Sequence, residues 1–173
     1  MTIPAMSMNN SDDNSLILLA WAQLWSPSIN AEQFECCWRA LHVSDYHADL
    51  EIDFNRHFHV GLPAPTVPLY LSASLNKSAD GLREILMRAM SHLHLKYHEK
   101  ILPADHLSIV IEITAQAYAS QEDFILRTLV NDYLIPWVNI AKQRITLLTP
   151  DLYAALLAFE ETLKALIEVT HTE

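Results

Sequence analysis

Apolar residues recur at three- and four-residue spacing along most of the chain, and no segment sustains the alternation of a half-buried strand. The pattern predicts about eight helices. The first, capped by Asp13, Asn14 or Ser15, runs to about Trp25, ahead of Pro27, and its apolar-all-round segment Leu16 to Ala22 argues for a central position. Asn30 with Gln33 has the pattern of a capping box, opening a helix with Phe34, Cys37, Trp38 and Leu41 on one face. Ser44 or Asp45 begins a third that buries Tyr46, Leu50 and Phe54. Asp80 caps an amphipathic helix in which Leu82, Ile85, Leu86, Ala89, Met90, Leu93 and Tyr97 share a face. Asp105, behind Pro103, caps a helix with Leu107, Val110, Ile111 and Thr114 inward, and Ser120 caps its antiparallel neighbour. Pro136 suits the first turn of a helix carrying Trp137, Ile140, Ala141 and Ile145. Thr149 and Pro150 open the last, with Tyr153, Leu156, Leu157, Glu160, Leu163 and Ile167 on its face.

Between Phe58 and Ala79 the periodicity breaks, and Gly61, Pro63, Pro65 and Pro68 exclude a regular helix. An irregular segment of that length inside a compact domain is often functional. Gly61 and Gly81 are the only glycines, too few for the tight turns of a strand-rich fold. The expectation is one all-α domain over residues 1–173, a helical bundle with one long Pro-rich loop and with residues 1–13 loose.

Composition narrows the class. Apolar residues make up 51% of the 173 positions, enough for a sizeable core. Eleven basic against 21 acidic side chains give a net charge of −10, which repels a nucleic-acid backbone and would suit a basic partner segment. The longest apolar run, Leu16 to Ala22, is far short of the roughly 20 residues that span a bilayer, so no stable membrane insertion is expected. Met1 to Asn14 lacks the basic start and apolar middle of a secretory signal, which points to the cytoplasm. Cys36 and Cys37, adjacent on a helix, are poor disulfide partners and read as reduced structural thiols.

Local chemistry is sparse. Nine histidines include His57, His59, His92, His94 and His98; His94 and His98 could share a metal, whereas His92 lies about 200° around the helix from His94. Asp105, His106 and Glu112 bring carboxylates near an imidazole, a group able to move a proton if a nucleophile or cleft completed it. A phosphate loop, a nucleophile elbow, a zinc-protease motif and a CxxC pair are all missing.

Leu102-Pro103-Ala104-Asp105-His106-Leu107, followed by Glu112, resembles the Asp-His motif that opens a central helix in the TorD/DmsD/NarJ chaperones. Leu134-Ile135-Pro136-Trp137 resembles that family's Leu-x-Pro-Trp segment. Leu152-Tyr153-Ala154-Ala155-Leu156 resembles its final helix, and Gly61-Leu62-Pro63-Ala64-Pro65 with Pro68-Leu69-Tyr70-Leu71 its Pro-rich loop and Tyr-Leu segment. The four occur in the family's order and cover roughly residues 16 to 168. Tyr133 replaces a His frequent in the family, and Thr66 an aromatic, which points to a divergent subgroup or a changed client. The resemblance implies a non-enzymatic cytoplasmic chaperone that binds the twin-arginine leader and the catalytic subunit of a molybdoenzyme until cofactor insertion is complete. Asp105 and Glu112 would face the leader's arginines, while Leu107, Tyr133, Leu134, Pro136, Trp137 and Tyr70 would make apolar contact. His106 would either touch the client or brace the Pro-rich loop. No cofactor is expected, and an exposed groove would permit a homodimer or helix exchange. The competing classes are a small metal-binding protein or enzyme built on Asp105, His106 and Glu112, and a helical adaptor of a folded partner.

Overall fold

The structure is a computed structural model that describes residues 10–96, 102–145 and 149–169. Among these residues the elements are α1 (Asn10–Leu24), α2 (Ala31–Ala40), α3 (Ala48–Phe58), α4 (Leu71–Ser74), α5 (Ala79–His92), α6 (Leu107–Ala119), α7 (Asp123–Leu129), a π-helical turn (Val130–Leu134), α8 (Ile135–Ile145) and α9 (Pro150–Val169). α7, the π turn and α8 are continuous, so the separate rods number eight and the chain is an all-α bundle.

The core is organised around one indole. Trp25, at the end of α1, has its ring centroid 4.9 Å from Phe54 and 4.6 Å from Phe58 of α3, 5.3 Å from Trp137 of α8 and 6.4 Å from Phe159 of α9. Tilted and edge-on aromatic pairs at these separations contribute beyond their buried area, so four helices are clasped at one point. α1 lies along α6, which buries Val110, Ile111, Thr114 and Ala117.

Several helix boundaries differ from the sequence expectation. Residues 10–13, expected loose, are already helical. Leu16 to Ala22 is not central all round: Leu18, Trp21 and Ala22 face the core, while Leu16, Ile17 and Leu19 are exposed because α1 has partners on one side. The capping box of α2 forms as read, with Asn30 Oδ1 accepting from the Gln33 amide and Gln33 Oε1 from that of Asn30. α3 starts at Ala48 behind His47; Ser44 and Asp45 stay in the connection, where the Ser44 carbonyl accepts from Trp38 Nε1. α5 is capped by Ser78, and Asp80 sits in the first turn, where its charge complements the helix dipole. Ile85 of α5 points outward although it shares the apolar spacing of Leu82, Leu86 and Met90, and Tyr97 and His98 lie outside the described residues. Ser120 ends α6 instead of starting α7, and Gln121 takes a left-handed φ of 57° as the Glu122 amide bonds to the Ala117 carbonyl. α9 turns Leu152, Ala155, Leu156, Phe159, Leu163 and Leu166 inward, leaving Leu157 exposed and Tyr153 half-buried.

Pro136 sits in the first turn of α8, as its position predicts, but that helix is continuous with the π turn and α7 instead of separate. It has no N–H to donate, and its ring would strike the carbonyl of Asp132 in a regular helix. The turn before it is widened instead, with the Ile135 amide bonding five residues back to Val130, and the rod continues through the proline. The Pro-rich segment contains one helical turn, α4, which periodicity did not announce. Its tip closes at Gly61, where a Cβ would lie 2.2 Å from the Ala64 carbonyl oxygen, so only glycine fits.

Phe54→Ala removes a ring held between Trp25, Phe34 and Phe58 and is expected to cost about 3–5 kcal/mol in urea unfolding. Leu62→Ala, at a side chain 99% exposed on the loop tip, should stay within about 0.5 kcal/mol of wild type.

Candidate functional site

Three of the four segments that carry the family resemblance meet in space. Tyr70 and His106 form an isolated antiparallel bridge: the Leu71 amide donates to the Asp105 carbonyl (2.9 Å), and the Leu107 amide to the Leu69 carbonyl (2.8 Å). The adjoining Pro68 carbonyl accepts from Trp137 Nε1 at 3.0 Å and from Ser74 Oγ at 2.6 Å. The Pro-rich strap is thus tied to the start of α6 and to α8. At its other side His57 Nδ1 pairs with Thr66 Oγ1 at 2.9 Å, and Arg144 reaches the Thr66 carbonyl.

Asp105 lies beneath this bridge with no accessible surface. One carboxylate oxygen takes the Arg83 Nε hydrogen bond at 2.7 Å, and the other accepts from Ser72 Oγ. A buried carboxylate needs such partners, and this one joins α4, α5 and the entry to α6. The residue that caps α6 is its neighbour, contrary to the sequence reading: His106 Nδ1 accepts from the Ser108 amide, with Ser108 Oγ at 2.8 Å. That role requires a bare Nδ1. Burial, followed by repulsion from His59, pushes the His106 imidazole down to about 4, with Asp105 pulling weakly the other way. Tyr70 stands edge-on to the His106 ring, centroids 5.4 Å apart, and keeps 40% of its surface exposed.

The remaining residues singled out in the sequence separate by environment. Leu107, Leu134 and Trp137 are fully buried, and Pro136 is half-buried. Glu112 is exposed on α6, where partial desolvation raises its carboxyl above the ordinary range. It therefore forms no acidic pair with Asp105, which is enclosed and occupied roughly 10 Å along the helix axis. Tyr133 is buried as well, with 7% of its surface exposed, but that remnant faces outward. Projected from the π turn, it lines a surface cleft and carries Lys77 Nζ 5.2 Å from its ring centroid.

That cleft, about 260 Å³, runs between α5 and α7. Ile85, Leu86, Ala89, Phe124, Leu129 and Tyr133 give it apolar walls. Phe124 is 82% exposed and Ile85 50%, an unusual display for a large aromatic and a β-branched aliphatic at adjoining positions. The helices are antiparallel here: His92, at the end of α5, meets Glu122 at the start of α7, while Lys77, before α5, meets Tyr133 beyond the end of α7. The volume is below that of typical small-molecule pockets and suits one or two inserted side chains. Sequence reasoning missed Ile85, Phe124 and Leu129 as site residues. An exposed aromatic just inside a predicted helix start was the one available signal.

Comparison of the chain with protein-family models, with curated proteins and with solved structures finds no match.

Two measurements test the roles assigned around the bridge. Asp105→Ala removes the buried acceptor of Ser72 Oγ and of the Arg83 Nε hydrogen bond and is expected to cost about 1–3 kcal/mol of stability in urea unfolding. For His106, the folded value of about 4 lies below the unfolded value near 6.5, so the unfolded state binds the proton first. Its contribution is complete above pH 6.5 and is lost as pH falls toward 4, about 3 kcal/mol in all. His106→Asn keeps a capping oxygen and removes the titration; its stability should vary less with pH across that window than wild type.

Proposed function

We propose that this chain is a non-enzymatic maturation chaperone of the TorD/DmsD/NarJ type, which holds the twin-arginine leader of a molybdoenzyme catalytic subunit in the cytoplasm. The observation that carries the reading is the α5–α7 cleft: an apolar channel with Phe124 and Ile85 standing in solvent, on a chain of net charge −10. A leader offers the complementary pattern, a basic pair followed by an apolar stretch. Apolar side chains of the leader would insert beside Leu86, Leu129 and Tyr133, in the manner of a peptide anchored in a groove.

Two further features support it. The Asp-His and Pro-Trp segments that carry the resemblance are each tied by hydrogen bonds to the Pro-rich segment. Tyr133, one residue ahead of the Leu-x-Pro-Trp segment, is on the cleft wall. In this reading those segments stiffen the frame, and the client touches α5 and α7. Asp105 and Trp137 then act on binding through stability, and the contacts first assigned to them belong to Ile85, Phe124 and Leu129.

Titration calorimetry against synthetic leaders from the molybdoenzymes of the source genome tests this. Micromolar binding to at least one leader is expected, weakened about tenfold or more by Phe124→Ser and by Ile85→Ser with helicity unchanged, since both side chains are exposed. Binding of no leader, or unaltered binding by both variants, would remove the reading.

A further inference from the structure

The cleft has a polarity. Beside one end Lys77 Nζ stands 5.2 Å from the centroid of the Tyr133 ring, the aromatic that closes the wall there. At the other, Glu122 Oε1 meets His92 Nε2 at 3.1 Å, across the mouth between α5 and α7. Glu122 occupies the N-cap position of α7 yet makes no side-chain capping bond, and its side chain is 42% exposed. Its backbone N–H donates to the Ala117 carbonyl at 2.9 Å, next to the left-handed Gln121. Among the described residues the carboxylate is engaged by the His92 imidazole alone. The arginine on the wall, Arg88, is paired with Glu84 of its own helix.

Resting on the reading above, we propose that Glu122 is the cation subsite of the cleft: a guanidinium of the bound segment takes the Glu122 carboxylate from His92, and the apolar side chains that follow it run toward Tyr133. The exchange is favourable because a guanidinium gives a carboxylate two parallel charge-assisted hydrogen bonds, whereas a lone imidazole contact gives one. The reverse orientation would bring the guanidinium to the Tyr133 end, where Lys77 is the neighbouring cation. Asp132 flanks Tyr133 at that end as an exposed carboxylate, which makes it the natural control. From Phe124 to Tyr133 the wall extends roughly 14 Å, room for apolar side chains over two or more helical turns beyond the cation.

The test uses the full chain and two synthetic peptides, a leader with its Arg-Arg pair and the same peptide with Gln-Gln, titrated into wild type, Glu122→Gln and Asp132→Asn. Wild type should prefer the Arg-Arg peptide by roughly tenfold, Glu122→Gln should lose that preference, and Asp132→Asn should keep it. Circular dichroism should be the same for all three, because neither side chain caps a helix. Equal binding of the two peptides to wild type, with Phe124→Ser still weakening it, would overturn the Glu122 assignment and leave the cleft reading standing. Preference that survives in Glu122→Gln, or disappears in Asp132→Asn, would overturn it as well, by moving the cation elsewhere. Failure of both peptides to bind would remove both inferences together.

Discussion

A carboxylate with no contact to solvent has to be matched by donors, and at Asp105 the matching donors come from different parts of the chain. Ser72 brings α4, Arg83 brings α5, and the backbone of Asp105 itself receives Leu71 from the Pro-rich strap. Because the cost of an unpaired buried charge is several kcal/mol, these elements cannot separate independently. His106 extends the same constraint by starting α6 with its imidazole, and Trp137 extends it to α8 through the Pro68 carbonyl. The strap closes the bundle at this node, and α5 is positioned by Arg83 opposite α7.

The cleft follows from that positioning. α5 buries Leu82, Leu86 and Met90, and the α6–α7 corner returns α7 beside it with Phe124 outward. The widened turn ahead of Pro136 then brings Tyr133 to the far end of the channel. An apolar channel framed by rigid, interlocked helices loses little freedom when it is filled, so side-chain insertion can yield useful affinity over a small area. Rigidity at the node and adhesion at the cleft are separate duties carried by separate residues.

The helices themselves were legible because a three- and four-residue apolar spacing has one inexpensive solution, a helix with that face buried. Their ends were legible in part: the Asn30 box of α2 and the Pro150 start of α9 form as read, and other ends do not. The corners after α4, α5 and α6 are turned by Asn76, His94 and Gln121 in left-handed conformation, where glycine is the usual sign. α6 is started by a histidine instead of a hydroxyl or carboxylate. Pro136 stands in the first turn of α8 as its type suggests, but a π turn joins that helix to α7 without a break. Asp105, His106 and Trp137 were visible as special residues, yet polarity and aromaticity alone do not distinguish a buried brace from a docking contact. Ile85 has the same periodicity as the buried face of its helix, and only the placement of α7 leaves it in solvent.

Backbone amide chemical shifts, followed while a twin-arginine leader peptide is titrated into the labelled protein, test the division between frame and cleft most directly. The account predicts saturable shifts concentrated on Ile85 to His92 and on Glu122 to Tyr133, with the amides from Asp105 to Ser108 and around Trp137 nearly still. Shifts centred on Asp105, His106 and Trp137, with α5 and α7 unmoved, would contradict it.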